Sequence, residues 1–389
     1  MQNSELSSAA LARVASTFEA GTLETPCYVY DVPTLTATAE QFKAALGALP
    51  ILSLKANPNI DLVLRIKHLQ GGVEVASLEE LNSVAKSDRI FINTPAMDRN
   101  LMRAGIGVKA TFIIDDISQL DELDELIGMR PQVEVLLRLN AGVIAEFLPG
   151  NQLPSLRADH FGMDWPTALA AIHRIKASPG RLKLLGWHLF AGSHTFERVG
   201  GCVASAAPAL VAAMEAAWGA PISLVNLGGG FPEAINWKEA DFEPYRRLLT
   251  NIPPHISVFH ESGRGLFSTC GVFATTVLRV KRLHGKTIAV CDGGINQAFL
   301  LCQTENTFRR PKVPMLFRRS SVAAIGDSSN EKTQLVGSSC CRDDVIGEFS
   351  GPAPRPGDVF LFADCGAYHA TYTVAPFLSL KKARQYVLA

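Results

Sequence analysis

The sequence has no excess of charge of either sign, because 37 Lys and Arg residues balance 37 Asp and Glu residues. Proteins that bind nucleic acid or anionic membranes through their overall charge carry a basic excess. The balance therefore argues against both roles, although it does not exclude a local basic patch. With 47% hydrophobic and 19% charged residues, the composition is that of a folded globular protein. The length of 389 residues predicts a large domain with a smaller one, or two of medium size.

Paired cysteines with metal-ligand spacing and long apolar runs are also missing. The eight cysteines include no CxxC pair, so we predict no metal site and reduced thiols. No window reaches the roughly 18 uninterrupted apolar residues that a membrane span needs. The N-terminal segment carries Glu5 and Glu19 where a secretory signal would have an apolar core. We therefore expect a cytoplasmic protein without a membrane segment.

Short apolar or β-branched runs alternate with segments suited to helices through most of the chain. Strand–helix alternation repeated eight times is the pattern of a (β/α)8 barrel, with a typical length of about 250 residues. A doubly wound open sheet alternates in the same way and remains the alternative. The eight runs are Ile51–Leu54, Val73–Ala76, Ile90–Ile92, Thr111–Ile114, Val133–Leu139, Leu182–Phe190, Ile222–Leu227 and Ile256–Phe259.

From Phe273 onward the pattern changes to strand-like runs separated by Pro and Gly, which predicts a β-rich domain. The early run Cys27–Asp31 is expected to join this domain. We predict a barrel domain at residues 30–271 and a β-rich domain made of residues 1–29 and 272–389. The later runs are Phe273–Val280, Thr287–Val290, Val313–Leu316, Gln334–Val336 and Asp358–Phe362.

Active-site residues of a barrel lie at the C-terminal ends of its strands. Lys55 follows the first run, in LSLKANPN. Burial lowers the pKa of a lysine and frees its amine to form a Schiff base, although a lone lysine here is more often an ordinary surface residue. Arg138 lies between leucines of the fifth run and needs an acidic or phosphate partner.

The sixth run continues into GWHLFAGSH, with His188, Phe190 and Ser193. A lone histidine in such a place is usually a core residue. Beside an aromatic residue and a Gly-Ser turn, it is also suited to lining a flat cofactor.

The last two runs are followed by LGGGFP, at residues 227–232, and by HESGRG, with Glu261, Gly263 and Arg264. Three glycines let backbone N–H groups approach an anion closely, and barrels often bind phosphate with these two loops. A lysine amine, a phosphate-binding loop and a carboxylate together suit pyridoxal phosphate. Glu261 would keep the pyridine nitrogen protonated, so that the ring accepts electrons when a bond at Cα breaks.

With these residues, the chain resembles the fold-type-III pyridoxal-phosphate decarboxylases, which include diaminopimelate, ornithine and arginine decarboxylases. The resemblance extends from about Pro26 to about Phe377. The matching segments are YVYD, KANPN, EVASLEEL, GWHLFAGSH, LGGGFP, ESGR, DGG, GSSCCRDD and DCGAY.

The resemblance implies a role for each matching position. Lys55 would form the Schiff base, and Cys340, contributed by the other subunit, would protonate Cα after CO2 leaves. Asp344 would face the distal part of the substrate. The family works as a dimer with shared active sites, so a homodimer is implied as well. The residues implied to hold the cofactor are Gly229, Gly230, Glu261, Gly263, Arg264 and Tyr368.

Two positions depart from the family pattern. Phe190 stands where the family has a histidine that stacks on the cofactor ring, and a phenylalanine can stack but cannot donate a hydrogen bond. The family motif GPxC reads GSSCC here. Cys341 is therefore an alternative thiol, although the spacing to Asp344 favours Cys340.

Within the family, NQAFLLCQTENTFRRPKVP and VGSSCCRDDV look most similar to decarboxylases of siderophore pathways, which act on citrate-conjugated or other carboxylate-rich amino acids. Arg309 and Arg310 would suit such a substrate, because guanidinium groups pair bidentately with carboxylates. Either arginine is as readily an ordinary surface residue. The alternatives are a diaminopimelate or basic amino-acid decarboxylase, an amino-acid racemase on the same barrel, and an inactive regulatory homologue.

Overall fold

The computed structural model describes residues 4–128, 132–149, 159–233, 235, 237–302, 312–318 and 331–389. The chain divides into two compact units. Residues 39–265 form one, here named the barrel unit. Residues 1–38 and 266–389 form the other, here named the β unit.

The strands within the described residues fall into two sheets. They are β1 (Cys27–Asp31), β2 (Ile51–Ser53), β3 (Gly72–Val75), β4 (Ile90–Asn93), β5 (Thr111–Ile114), β6 (Val133–Leu139), β7 (Leu182–Leu189), β8 (Leu224–Asn226), β9 (Ser257–Phe259), β10 (Glu261–Ser262), β11 (Gly271–Leu283), β12 (Lys286–Cys291), β13 (Met315–Phe317), β14 (Glu331–Val336), β15 (Val345–Gly351), β16 (Val359–Phe362) and β17 (Arg384–Leu388).

Helices separate the strands of the barrel unit. The α-helices of the described residues are α1 (Glu5–Glu19), α2 (Val32–Leu46), α3 (Ile60–Arg65), α4 (Leu78–Val84), α5 (Arg99–Gly107), α6 (Ile117–Ile127), α7 (Ile144–Phe147), α8 (Trp165–Lys176), α9 (Phe196–Trp218), α10 (Glu239–Leu249), α11 (Arg264–Phe267) and α12 (Phe299–Cys302). Several begin at a side-chain cap. Ser77, for example, accepts a hydrogen bond from Glu80 N at the start of α4.

The strands of the barrel unit form a parallel sheet in chain order, from β2 to β9. The last segment is interrupted at His260: β9 pairs with β8, whereas β10 pairs with β2. The His260 carbonyl also accepts a hydrogen bond from Ile51 N, at 2.8 Å. First and last strands therefore meet, and the sheet closes on itself. The predicted barrel is confirmed, and an open doubly wound sheet is excluded.

The barrel interior is packed with apolar side chains from successive strands, as in other barrels of this kind. One layer consists of Ile51, Phe91, Ile113, Leu136, Leu185 and Leu224, with Phe259 packed against it. Among the described helices, α9 is long and apolar enough to cross a membrane by length and composition. Half of its most apolar window is buried, and it packs against α7, α8 and α10. Within the barrel unit, α9 is therefore part of the outer helical layer.

The β unit is built on a mixed sheet, as predicted for the C-terminal part of the chain. Its β1 pairs antiparallel with β11 and parallel with β17, so the early run Cys27–Asp31 does join this sheet. Helix α1 covers an apolar core with Leu11, Val14 and Phe18. Two strands of the β unit were not predicted from the sequence, β15 and β17. The first contains two glycines, and the second begins with the polar pair Arg384–Gln385.

Candidate active site

Lys55 lies in the short 3₁₀ turn that directly follows β2. Its Nζ donates a hydrogen bond to Glu74 Oε1, at 2.5 Å, and the two groups form an ion pair. The lysine side chain is 45% exposed, whereas the glutamate on β3 is 1% exposed. Burial, and then the negative charge of Glu261, raise the pKa of Glu74 to about 7, against the lowering effect of Lys55. The site therefore presents an accessible amine on a buried carboxyl group.

Glu261 is buried on β10, at the closure of the barrel. Asn226, at the end of β8, donates from Nδ2 to Glu261 Oε1 at 2.7 Å. His188 Nε2 lies 3.1 Å from the same oxygen but is not aligned for a hydrogen bond. Glu74 and Glu261 also interact, because each carboxyl group lies in the electric field of the other. Four barrel strands thus contribute side chains to one group, here named the polar cluster. Its members are Glu74 from β3, His188 from β7, Asn226 from β8 and Glu261 from β10, together with Lys55.

Arg138 joins this cluster from β6 and is almost fully buried. Its Nη1 donates to Asp115 Oδ1 at 2.9 Å, and its guanidinium lies 4.3 Å from the centre of the Phe161 ring. The acidic partner that the sequence required is thus Asp115. Burial, and then the positive charge of Arg138, lower the pKa of His188 to about 3. His188 is therefore neutral at physiological pH.

The glycines of LGGGFP let the ends of neighbouring strands approach one another. Gly228 and Gly230 have φ of +66° and +83°, a left-handed conformation that favours glycine. A Cβ on Gly228 would lie 2.2 Å from the Leu189 carbonyl oxygen, and one on Gly229 would lie 2.3 Å from that of Glu261. A Cβ on Gly263 would meet Ala56 at 2.6 Å, next to Lys55. The turn is therefore fitted between the ends of β7 and β10.

The remaining predicted residues of the barrel unit lie around this turn. Phe190 is half-buried directly after β7, and its Cα lies 3.1 Å from where a Cβ on Gly228 would be. Ser193 is exposed in the turn that follows. Arg264 Nη1 pairs with Glu233 Oε1 at 2.8 Å, so its guanidinium is held against the loop after β8.

Cys340, Asp344 and Tyr368 belong to the β unit. Cys340 is exposed and Cys341 is half-buried, in a turn between β14 and β15. Burial raises the pKa of the Cys27 and Cys291 thiols to about 12, and it raises that of Cys270 further. Cys340 is therefore the most accessible of the eight thiols.

Asp344 is buried, and backbone groups engage both of its carboxylate oxygens. Oδ1 accepts from Ile295 N at 2.6 Å, and Oδ2 accepts from Ser339 N at 2.9 Å. A Cβ on Gly294 or Gly337 would lie 2.2 Å or 2.3 Å from Asp344 Oδ1. The carboxylate thus joins the segment DGG, at residues 292–294, to the segment GSSCCRDD, at residues 337–344. The second segment is here named the cysteine turn. In this arrangement, the carboxylate holds the turn in place.

Tyr368 is half-buried with φ of +66°, and its carbonyl accepts from Tyr372 N at 2.8 Å. Arg309 and Arg310 lie outside the described residues.

The sequence analysis did not single out Glu74, Asp115 or Asn226. A charged residue inside the buried run Val73–Ala76 was the available signal for Glu74, because an acid in a strand core needs a partner.

The chain matches the family model described as "Pyridoxal-dependent decarboxylase, pyridoxal binding domain" over residues 33–268. It is 25% identical to the L-glutamyl-[BtrI acyl-carrier protein] decarboxylase of Niallia circulans, over 91% of this chain and 86% of that protein. It is also 25% identical to the diaminopimelate decarboxylase of Neisseria meningitidis serogroup B, over 89% and 84%.

A further relative is the 2-[(L-alanin-3-ylcarbamoyl)methyl]-2-hydroxybutanedioate decarboxylase of Staphylococcus aureus, at 24% identity over 90% of this chain and 91% of that protein. Among solved structures, diaminopimelate decarboxylase from Helicobacter pylori, complexed with L-lysine, has a similar fold. Its TM-score is 0.77 at 20% identity, over 95% of this chain and 93% of that one.

Proposed function

Because the chain belongs to the pyridoxal-phosphate-dependent decarboxylases, we propose that it decarboxylates an amino acid that carries further carboxylate groups, such as a citrate conjugate used in siderophore biosynthesis. The observation that carries the proposed chemistry is the exposed Lys55 amine, held on a buried carboxyl group beside Glu261. Its position at the C-terminal ends of barrel strands is where enzymes of this fold carry out their chemistry.

The residues present fit pyridoxal phosphate. The cofactor requires an amine, an anion-binding loop and a partner for its pyridine nitrogen. Lys55 offers the amine, and Glu261 offers a buried carboxyl group. The glycine turn offers backbone N–H groups in a segment where Gly228 and Gly229 leave no room for side chains. The amine, the carboxyl group and the backbone N–H groups all lie at the same end of the barrel.

Bound pyridoxal phosphate supplies an electron sink for the pair released when CO2 leaves Cα. Lys55 would hold the cofactor and Glu74 would hold Lys55, through the contact at 2.5 Å. Glu261 would keep a proton on the pyridine nitrogen, while neutral His188 adds no competing charge. Gly229, Gly230, Gly263 and Arg264 would bind the phosphate together with Tyr368, and Phe190 would cover the ring. Cys340 would return a proton to Cα.

The substrate class is supported by the relatives and by sequence. The Staphylococcus aureus relative is named for a hydroxybutanedioate conjugate, which carries several carboxylates. Arg309 and Arg310 supply guanidinium groups suited to such a molecule. Diaminopimelate is the second candidate, because it also has a distal carboxylate and a relative of that name covers most of the chain.

We further propose a homodimer that shares its active sites and works in the cytoplasm. The exposed position of Cys340 is consistent with a thiol that serves a partner subunit. The cytoplasmic location is supported by the cysteines, which are all free.

The chemistry is tested by Lys55→Ala, with Lys67→Ala as the control. Lys67 is also a half-exposed lysine paired with a carboxylate, Asp88 at 3.2 Å. We expect Lys55→Ala to abolish the visible absorbance of the cofactor Schiff base and Lys67→Ala to keep it. An unchanged spectrum in Lys55→Ala would overturn the assignment.

The substrate is tested by measuring CO2 release from citryl conjugates of serine and diaminopropionate, diaminopimelate, ornithine, lysine and arginine. Release from a citryl conjugate alone is the expected result. Release from diaminopimelate would select the second candidate, and inversion of Cα without CO2 would instead indicate a racemase.

A further inference from the structure

Asn226 has a place in the polar cluster that the proposed roles leave unexplained. It is the last residue of β8 and is fully buried. Its Nδ2 donates to Glu261 Oε1 at 2.7 Å, and its Oδ1 accepts from Gly228 N at 3.0 Å. If the amide nitrogen and oxygen of Asn226 were exchanged, the oxygen would face Glu261 Oε1, another acceptor, and the nitrogen would face Gly228 N, another donor. The surroundings therefore fix the orientation of the amide.

These contacts are part of a closed set of hydrogen bonds that includes the backbone of the glycine turn, LGGGFP. The Gly228 carbonyl accepts from Glu261 N at 2.8 Å, so Gly228 is bonded to Asn226 through its N–H and to Glu261 through its C=O. Asn226 then bonds the Glu261 side chain. One amide group thus connects the start of the glycine turn with the carboxyl group on the closing strand. A displacement of either would break a hydrogen bond in the interior.

The charges around Glu261 explain why a neutral donor stands at this position. Glu74 faces it from β3 and His188 from β7, whereas Lys55 pairs with Glu74. Arg138 and Asp115 lie behind His188 and pair with each other. An acid in place of Asn226 would add a third carboxyl group, and buried carboxyl groups in contact cannot all ionise.

We propose that Asn226 is a positioning residue that holds the Glu261 carboxylate in register with the glycine turn, and so sets the spacing between the group that binds the pyridine nitrogen and the loop that binds the phosphate. This role rests on the proposed function, because it assigns Glu261 and the turn to the same cofactor.

The first experiment uses protein freed of cofactor and measures thermal unfolding of Asn226→Asp against pH. The aspartate keeps the bond to Gly228 N but loses the donor to Glu261. Its folded pKa would exceed its unfolded value, near 4, so the folded state would bind more protons. Stability is then expected to fall, relative to the wild type, as pH rises from about 4 through neutrality.

Asn140→Asp is the matched control. Asn140 also follows a barrel strand, and its Oδ1 accepts from Gly142 N at 3.0 Å, but its Nδ2 donates to the Phe161 carbonyl at 2.8 Å. Its Nδ2 also donates to Asp159 Oδ1 at 3.4 Å, but that carboxylate is exposed to solvent, whereas Glu261 is buried. We expect its unfolding profile to parallel the wild type. An Asn226→Asp profile that is also parallel would overturn the proposal.

The second experiment measures equilibrium binding of pyridoxal phosphate. We expect Asn226→Asp and Asn226→Ala to weaken binding about ten- to a hundredfold at neutral pH, as for loss of a hydrogen bond to a charged group. Lowering the pH should restore binding in Asn226→Asp, where a proton replaces the lost donor, and not in Asn226→Ala. Wild-type affinity in both variants would overturn the proposed role.

Failure of the proposed function gives a different result. Wild-type protein would then bind no pyridoxal phosphate, while the pH profiles of unfolding would still report on the contact between residues 226 and 261.

Discussion

The polar cluster of the barrel unit and the cysteine turn of the β unit hold their buried acids in opposite ways. In the barrel, each of these acids has a side-chain partner: Arg138 pairs with Asp115, Lys55 with Glu74, and Asn226 with Glu261. One backbone group contributes as well, since Gly162 N donates to Asp115 Oδ1 at 3.2 Å. In the cysteine turn, backbone N–H groups satisfy Asp344. Side-chain partners can exchange protons and change partners when a ligand arrives, whereas a carboxylate bound by peptide groups is fixed with the backbone. The first arrangement is suited to catalysis, and the second is suited to holding the Cys340 thiol in a fixed position.

The largest effect should come from breaking the buried ion pair of the barrel. Arg138→Met would leave Asp115 buried without its cation, at a cost of about 3–5 kcal/mol in the free energy of unfolding. The control is Lys183→Met, which breaks an exposed pair with Glu134 worth about 0–1 kcal/mol. Urea unfolding followed by tryptophan fluorescence measures both. Equal losses would contradict the different burial of the two pairs.

The cysteine turn should respond next most strongly. Asp344→Ala would leave the N–H groups of Ile295 and Ser339 without their acceptor, which should destabilise the protein by about 3 kcal/mol. The adjacent Asp343 is exposed, so Asp343→Ala should leave unfolding unchanged. Differential scanning calorimetry is a suitable measurement. A stable Asp344→Ala protein that has lost only substrate affinity would favour the substrate role implied by the resemblance.

Glu74→Gln should change the pH dependence of stability. The pKa of Glu74 rises from 4.5 to about 7 on folding, so it favours the folded state less and less as pH rises through that interval. The pKa of His188 falls from 6.5 to about 3, so its contribution is lost as pH falls through that interval. Of these two effects, only that of His188 remains in Glu74→Gln, so stability should rise more steeply from pH 4.5 to 7 than in the wild type. The exposed Glu79→Gln serves as the control.

The smallest effect concerns the two thiols of the turn. Alkylation by iodoacetamide, followed by peptide mass spectrometry, should modify Cys340 before the half-buried Cys341. Cys340→Ser should remove the fastest reaction, and Cys341→Ser should preserve it. The reverse order would identify Cys341 as the accessible thiol and would assign it the proposed proton transfer.

The sequence predicted most barrel strands because they are compact apolar runs, although it left an open sheet as the alternative. The closing strand β10, Glu261–Ser262, is polar and was not predicted. The predicted Thr111–Ile114 and Val133–Leu139 coincide with β5 and β6. Strand β15 was missed because Gly347 and Gly351 interrupt its pattern. Short strands with polar or flexible residues form here because neighbouring strands supply partners, and this information is not local.

The site was predictable only in part for the same reason. The position of active sites at strand ends pointed to Lys55 and Glu261, which the structure does bring into one cluster. It did not identify Asn226, because an asparagine before a glycine turn normally indicates only the turn. Its second partner comes from another strand, far away in sequence. Asp344 was interpreted through the resemblance, and its engagement by Ile295 N and Ser339 N became visible only in three dimensions.

The pairing of β10 with β2 also determines when, during synthesis, the site can exist. The ribosome releases the strand before Lys55 early and the strand of Glu261 only after the other barrel strands, since synthesis runs from the N-terminus. Pairing Ile51 with Glu261 must overcome the loop-closure entropy of all the chain between them. A nascent chain therefore carries Lys55 and its partner Glu74 before it carries Glu261. The arrangement of Lys55, Glu74 and Glu261 is therefore complete only once β10 has paired with β2 and closed the barrel.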